Sequence, residues 1–158
     1  MQPFTVLKAG YKLRTMRSSD LDLVVKNENQ ASESPWSKRV FIDCLRAGYQ
    51  CWVLASKDQV IGHGVMSIAI GESHLLTLCI STDYQGLGYG TYILRFLMEK
   101  ASQQGARECF LEVRESNQRA RHIYQKLGFV PIGARENYYP GESSRENAII
   151  MSRKLPDS

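Results

Sequence analysis

The chain has no apolar run near the ~18 residues that a membrane-crossing helix needs, which argues against an integral membrane protein. It also has no block of five or six like charges, so a basic arm for nucleic acid or an acidic solvating tail is not expected. The opening MQPFTVLKAGYKLRT lacks the basic-then-apolar layout of a secretory signal, and a cytoplasmic protein is expected. Cys44, Cys51, Cys79 and Cys109 form no CxxC pair and have no histidine at zinc spacing. They read as reduced, mostly buried thiols. His63, His74 and His122 are scattered, without a carboxylate or cysteine at ligand spacing, so each reads as a surface or structural residue and no metal is expected. A nucleophile elbow is missing, which leaves Ser-His-Asp and Cys-His chemistry unsupported. There is no internal repeat, low-complexity stretch or interdomain linker.

What is present is ordinary in bulk. With 158 residues, 43% hydrophobic and 23% charged, the chain suits one domain, 1–158, with a sizeable core. Twenty basic residues against 16 acidic ones leave a net charge of +4, with both signs interspersed. That describes a mildly basic solvated surface with no direct nucleic-acid partner, and it weakly favours a polyanionic cofactor.

Periodicity supplies the elements. Tyr11 to Met16 alternates like an edge strand, and SSDLDLVVKNENQ reads as a helix with Leu21, Val24 and Val25 on one stripe. SPWSKRVFIDCLRAG reads as a second helix capped by Ser37, with Val40, Phe41, Cys44 and Leu45 apolar and Gly48 at its end. CWVLAS and VIGHGVMSIAI, separated by KDQ, predict an antiparallel hairpin. HLLTLCI predicts a central strand buried on both faces. A helix with Ile93, Leu94, Leu97, Met98 and Ala101 then runs to Gly105, followed by the buried-type strand CFLEV. SNQRARHIYQKLG predicts a helix capped by Ser116 or Asn117 and closed by Gly128, with Ala120, Ile123, Tyr124 and Leu127 on one face. FVPIGARENYY and RENAIIMSRKL, joined by PGESS, predict two last strands. The order predicts an α/β fold: a mixed central sheet of about six to seven strands with helices on both faces.

Three features do not fit a purely structural reading. DYQGLGYG places Gly86, Gly88 and Gly90 on alternate positions between a strand and a helix, where free N–H groups and the positive end of a helix dipole converge. Such a point suits a phosphate. The dinucleotide fingerprint G-x-G-x-x-G fails at Thr91, and no Lys-Ser or Lys-Thr follows for a P-loop. What survives is Q-x-x-G-x-G, from Gln85 through Gly88 to Gly90; a tight strand–helix connection explains it equally. Glu112 is the second feature, a carboxylate inside an apolar strand. It either pairs with Arg114 on the same face or faces a partly dry cleft, where it suits a proton acceptor near neutral pH. Tyr124, on the apolar face of the following helix, is by default a core aromatic, and in a cleft its phenol suits a proton donor.

Together these residues resemble the GNAT superfamily of acetyl-CoA-dependent N-acetyltransferases, in which Q-x-x-G-x-G after a buried strand binds pyrophosphate. PWS at Pro35 to Ser37, DYQGLGYG, LEVRESN at Leu111 to Asn117, IYQKLGF at Ile123 to Phe129, and ENYYP with RENAIIM are similar to the RimI family within it. That family acetylates the N-terminal alanine of ribosomal protein S18. The resemblance implies a single GNAT domain over 1–158, acetyl-CoA as co-substrate and a protein N-terminus, S18 above all, as partner. It assigns Glu112 as general base and Tyr124 as general acid. Coenzyme contacts fall to Leu78, Cys79, Ile80, Gln85, Gly86, Leu87, Gly88, Tyr89, Gly90, Thr91 and Asn117, and the peptide entrance to Tyr138 and Tyr139. Departures from the family pattern are Thr77 for the usual Asn, Ser81-Thr82 for Asp-Pro, and Ser144-Arg145-Glu146 for the usual Gly-Arg-Glu run. Acceptors of other kinds, a lysine side chain or a small amine, stay open, as does a non-catalytic acetyl-CoA sensor.

Overall fold

The computed structural model, which describes residues 7–141 and 145–156, has seven strands and four α-helices among them. The order is β1 (Lys12–Thr15), α1 (Leu21–Ala31), α2 (Lys38–Arg46), β2 (Gln50–Ala55), β3 (Val60–Ala69), β4 (Glu72–Ile80), α3 (Tyr89–Gln103), β5 (Glu108–Arg114), α4 (Gln118–Lys126), β6 (Val130–Tyr139) and β7 (Glu146–Lys154). The strands form one sheet ordered β1-β2-β3-β4-β5-β7-β6. β4 and β5 pair in parallel, Glu72 with Glu108 through His74 with Phe110, while β1–β2, β2–β3, β5–β7 and β6–β7 are antiparallel. A mixed sheet follows, as the sequence predicts. The residues between Gly141 and Arg145 in the PGESS connection, Ser144 among them, lie outside the described residues.

The chain divides into two compact units. One comprises the residues up to Met66 with Thr77–Leu97, the other Ser67–Leu76 with Met98 onward. In the first, Met16, Leu21, Val24, Phe41, Cys44, Cys51, Val53 and Val65 make a continuous core. Phe41 and Cys44 supply the buried stripe of α2, but Val40 is 37% exposed, so the apolar face of that helix is narrower than its sequence suggests. Asp20 caps the approach to α1: it accepts from the Arg17 N–H and takes both ends of the Arg14 guanidinium at 2.8 Å. That guanidinium holds the Asp20 carboxyl below the usual carboxylate range.

The stretch Gly62-His63-Gly64 in β3 shows how alternation builds two different faces. A methyl group on Gly62 would stand 2.7 Å from Ile80 Cδ1, and one on Gly64 2.9 Å from side chains of both Ile93 and Leu97. Only glycine admits that close packing of α3 and β4 side chains. His63, between them, turns the other way and meets Phe41 of α2 edge-to-face at 5.4 Å. β4 alternates likewise. Leu78 and Ile80 point to the α3 side, whereas Thr77 and Cys79 reach α1 by hydrogen bonds to Glu28 and the Asn27 carbonyl. The expected burial of β4 on both faces holds only partly, since His74 is exposed and Leu76 is 38% exposed in its first half.

In the second unit β5 buries Cys109, Leu111 and Val113 on one face and carries Phe110, Glu112 and Arg114 on the other. All four cysteines are free and buried, where the sequence predicts reduced, mostly buried thiols.

Candidate active site

The glycine loop forms in the first unit where β4 ends. Gly86 and Gly88 sit at φ +79 and +86, a backbone region that costs an L-residue about 1–2 kcal/mol. The Gly88 carbonyl accepts the first helical bond of α3, from Tyr92 at 3.0 Å, so the N–H groups of Tyr89, Gly90 and Thr91 have no acceptor one turn earlier in the helix. The Gln85 side chain donates to the Ile80 carbonyl at 3.0 Å, tying the loop back onto the last residue of β4. Gly90 differs from its neighbours. A methyl there would meet only Ile80 Cγ1, at an ordinary 3.7 Å. Gly90→Ala is therefore expected to stabilise the fold by about 0.4–1 kcal/mol, and Gly88→Ala to destabilise it by about 1–2 kcal/mol. Urea unfolding of the two variants reads both signs.

Glu112 and Tyr124 belong to the second unit. Between its two buried neighbours Glu112 faces away from the core, with its side chain 27% exposed, and its Oε1 lies 3.1 Å from Arg135 Nε of β6. Arg114, which the sequence offered as the partner of Glu112, pairs with Glu146 of β7 at 3.0 Å, donates to the Pro140 carbonyl and stacks on Tyr139 at 4.6 Å. Glu146 also accepts from the Ser116 N–H, and hydrogen bonding from Ser116, by its side chain first and then its backbone, with a smaller share from Arg114, holds its carboxyl below the usual range.

Tyr124 owes its placement to the end of α4. Gly128 at φ +91 allows the Phe129 N–H to reach the Tyr124 carbonyl at 3.0 Å and the Gly128 N–H to reach Gln125, a Schellman closure. Such a closure brings the residue after the glycine onto the helix's last turn, and here the Phe129 and Tyr124 rings meet at 6.0 Å. With Phe129 buried at 1% exposure, the Tyr124 phenol is fixed from below. Burial, then the nearby Tyr139 and Cys109, push its pKa to about 12, so it keeps its proton throughout the neutral range. Asn117 is the α4 cap, its Oδ1 accepting from the Ala120 N–H at 3.1 Å.

Tyr138 and Tyr139 end β6 with their rings edge-to-face at 4.9 Å. Register explains the exposure of Tyr138. Arg135 pairs with Ala148 and Tyr139 with Glu146, so Glu136, Asn137 and Tyr138 stand opposite the single residue Asn147. Asn137 takes φ +54 in this bulge; Asn147 Oδ1 accepts from its N–H, and Arg145 donates to the carbonyls of Asn137 and Tyr138.

One cluster in the first unit went unread in the sequence. Glu28, 2% exposed, accepts at Oε1 from His63 Nε2 (2.9 Å) and from the Thr77 hydroxyl (3.1 Å), and at Oε2 from the Trp36 N–H (3.1 Å). The histidine that had no ligand-type neighbour in sequence thus has two in space, for Glu28, His63 and Cys79 present donor atoms within 4.8 Å of one another. Internal hydrogen bonds engage each of the three, the Cys79 thiol through the Asn27 carbonyl. Burial pushes that thiol up to about 12, which keeps it protonated. The one available signal was position: Glu28 follows Leu21, Val24 and Val25 at helical spacing, on the stripe that faces the core.

Comparison with known proteins agrees with the fold. A [ribosomal protein bS18]-alanine N-acetyltransferase of Haemophilus influenzae is 34% identical over 138 residues, 87% of this chain and 94% of the relative. The crystal structure of the ribosomal-protein-S18-alanine N-acetyltransferase from Escherichia coli superposes with a TM-score of 0.86 at 28% identity, covering 94% of this chain and 96% of that one. The fold is shared as well by yncA of Salmonella typhimurium, solved with its cofactor acetyl-CoA, at a TM-score of 0.78 and 14% identity over 94% of this chain and 96% of that one. Residues 15–129 match the model of the acetyltransferase (GNAT) family, and the chain is a member of that family of acetyl-CoA-dependent N-acetyltransferases.

Proposed function

We propose that this protein transfers the acetyl group of acetyl-CoA to a protein N-terminal α-amine, that of the alanine beginning ribosomal protein S18. The observation that carries the acceptor is the match to S18-alanine acetyltransferases over nearly their whole length. The whole chain acts as one such domain. The N–H groups opening α3, with the loop Gln85 to Thr91, hold the pyrophosphate, and Asn117 adds a contact through its amide nitrogen. The Leu78 to Ile80 backbone carries the acetyl-pantetheine arm, one of its N–H groups receiving the carbonyl oxygen as charge develops. Tyr138 and Tyr139 line the peptide entrance.

The amine nitrogen attacks the thioester carbon, a C–N bond forms, the N–H proton passes to Glu112, and the C–S bond breaks as the intermediate collapses. The acceptor's own acidity helps. An α-ammonium titrates near 7.7–8.0 and a lysine near 10.4, so the N-terminus needs roughly 3.4 kcal/mol less for deprotonation at neutral pH. Tyr124 is the donor assigned to the leaving sulfur. A phenol whose pKa burial has pushed to about 12 resists complete transfer of its proton to a thiolate, whose thiol is the stronger acid. Its contribution is therefore a hydrogen bond that strengthens as negative charge builds on sulfur.

Tyr124→Phe is expected to lower kcat about 10²-fold or more with acetyl-CoA affinity unchanged. The wild-type rate should show no alkaline fall below pH 10, because the raised pKa keeps the phenol protonated there. Thiol release from acetyl-CoA in the presence of an alanine-starting S18 peptide measures both. Undiminished turnover by Tyr124→Phe would return Tyr124 to a packing role. Absence of thiol release by the wild type, with coenzyme still bound, would favour the sensor reading.

A further inference from the structure

The base assigned to this reaction is not bare. Arg135 Nε lies 3.1 Å from Glu112 Oε1. Its guanidinium also rests over the Tyr138 ring, 5.3 Å from the centroid. The Arg135 side chain is 56% exposed, so nothing in the core fixes it. Its backbone, by contrast, is anchored: Arg135 is the last residue in register with β7 before the bulge, and Asn147 and Arg145 pin the bulge itself. A firm backbone carrying an exposed cation over the catalytic carboxylate suits a group that must be met by each incoming acceptor.

We propose that Arg135 is a specificity-determining residue that screens Glu112 against the protonated acceptor, so that the neutral amine is the form captured. The proposal rests on the reading of Glu112 as proton acceptor. An α-ammonium carries the same charge as the guanidinium and is repelled by it at the carboxylate, where Arg135 already holds Oε1. A neutral amine needs a hydrogen bond alone. The difference matters because an ammonium has no lone pair: an ion pair between it and a bare Glu112 would hold the substrate in its unreactive form. The same screen acts more strongly on a lysine side chain, of which only about one in a thousand is neutral near pH 7.4, against about one in four α-amines.

The other charged and titratable groups around Glu112 do not duplicate this role. Tyr139 of β6 feels the charges of Glu112, Arg114 and Glu146, and burial raises its own pKa, so it is neutral near pH 7. Arg114, along β5, is 10% exposed and engaged with Glu146 of β7, and the residue opposite Glu112 on β7 is the apolar Ile150.

The test compares wild type, Arg135→Gln, Arg135→Met and Arg135→Lys on an alanine-starting peptide, with the Nα-trimethylated form of that peptide as a permanent cation. In wild type kcat/KM should rise with the neutral fraction of the amine up to about pH 8. In Arg135→Gln and Arg135→Met the trimethylated peptide should inhibit about tenfold more tightly, and below about pH 8 kcat and KM should both fall relative to wild type by the same factor, leaving the rise of kcat/KM with pH in place. Arg135→Lys should restore the wild-type pattern. Equal inhibition of wild type and both neutral variants would overturn the proposal, as would a lysine variant that behaves like them. Failure of the wild type to acetylate the peptide is a separate result, and it would remove the functional reading together with this one.

Discussion

Glu112→Gln should lower kcat by about 10²–10⁴-fold while leaving acetyl-CoA affinity unchanged. The amide is nearly isosteric, so β5 keeps its buried face of Cys109, Leu111 and Val113 and the strand stays in register with β7. What disappears is the oxygen that can accept the proton of the attacking nitrogen. Residual turnover should then grow more steeply with pH, because hydroxide and the fraction of neutral amine replace the missing base. Steady-state rates between pH 6 and 9, paired with calorimetric titration of acetyl-CoA, separate the two effects. A glutamine variant with wild-type turnover at neutral pH would take the base role away from Glu112.

The second large effect concerns stability and lies in the other unit. Glu28→Ala is expected to destabilise the protein by roughly 3–5 kcal/mol, because it strands a buried polar cluster that the carboxylate alone satisfies. His63 Nε2, the Thr77 hydroxyl and the Trp36 N–H would each lose their acceptor. His63 would fare worst. It has no exposed surface, and its Nδ1 already has no hydrogen-bond partner. For a chain of this size a loss of that order lowers Tm by roughly 10 °C. Glu28→Gln should cost less, since an amide oxygen still accepts from His63 and Thr77 while its NH2 opposes the Trp36 N–H. Urea unfolding gives the ranking. A cost below about 1 kcal/mol for Glu28→Ala would mean that water reaches and satisfies the cluster.

How much of this could be read beforehand depends on the range of the interaction. The loop Gln85 to Gly90 is local: two left-handed glycines, a helix start and a strand end lie within one short segment, and all are visible as residue types. Glu112 announced itself as the single carboxylate in an apolar strand, and its exposure bears out the direction in which it faces. Its partner did not. The sequence pointed to Arg114, next but one along the strand, and only the β6–β7 register decides that Arg135 stands beside Glu112 while Arg114 takes Glu146. The Glu28–His63 contact spans 35 residues and joins α1 to β3, beyond any periodic pattern. Val40 misled because a helical stripe fixes direction but not how wide a face its neighbours can cover. The bulge at Asn137 was invisible for a related reason, since an asparagine takes a left-handed backbone only where the paired strand requires it.

Mass spectrometry of two peptides incubated with the purified protein and acetyl-CoA tests the central claim most directly. One peptide begins with the free alanine of S18, and the other has a blocked N-terminus and an internal lysine. One added acetyl on the α-amine of the first peptide, with the second unchanged, is the predicted result. Acetylation of the lysine peptide with the alanine peptide untouched would contradict it.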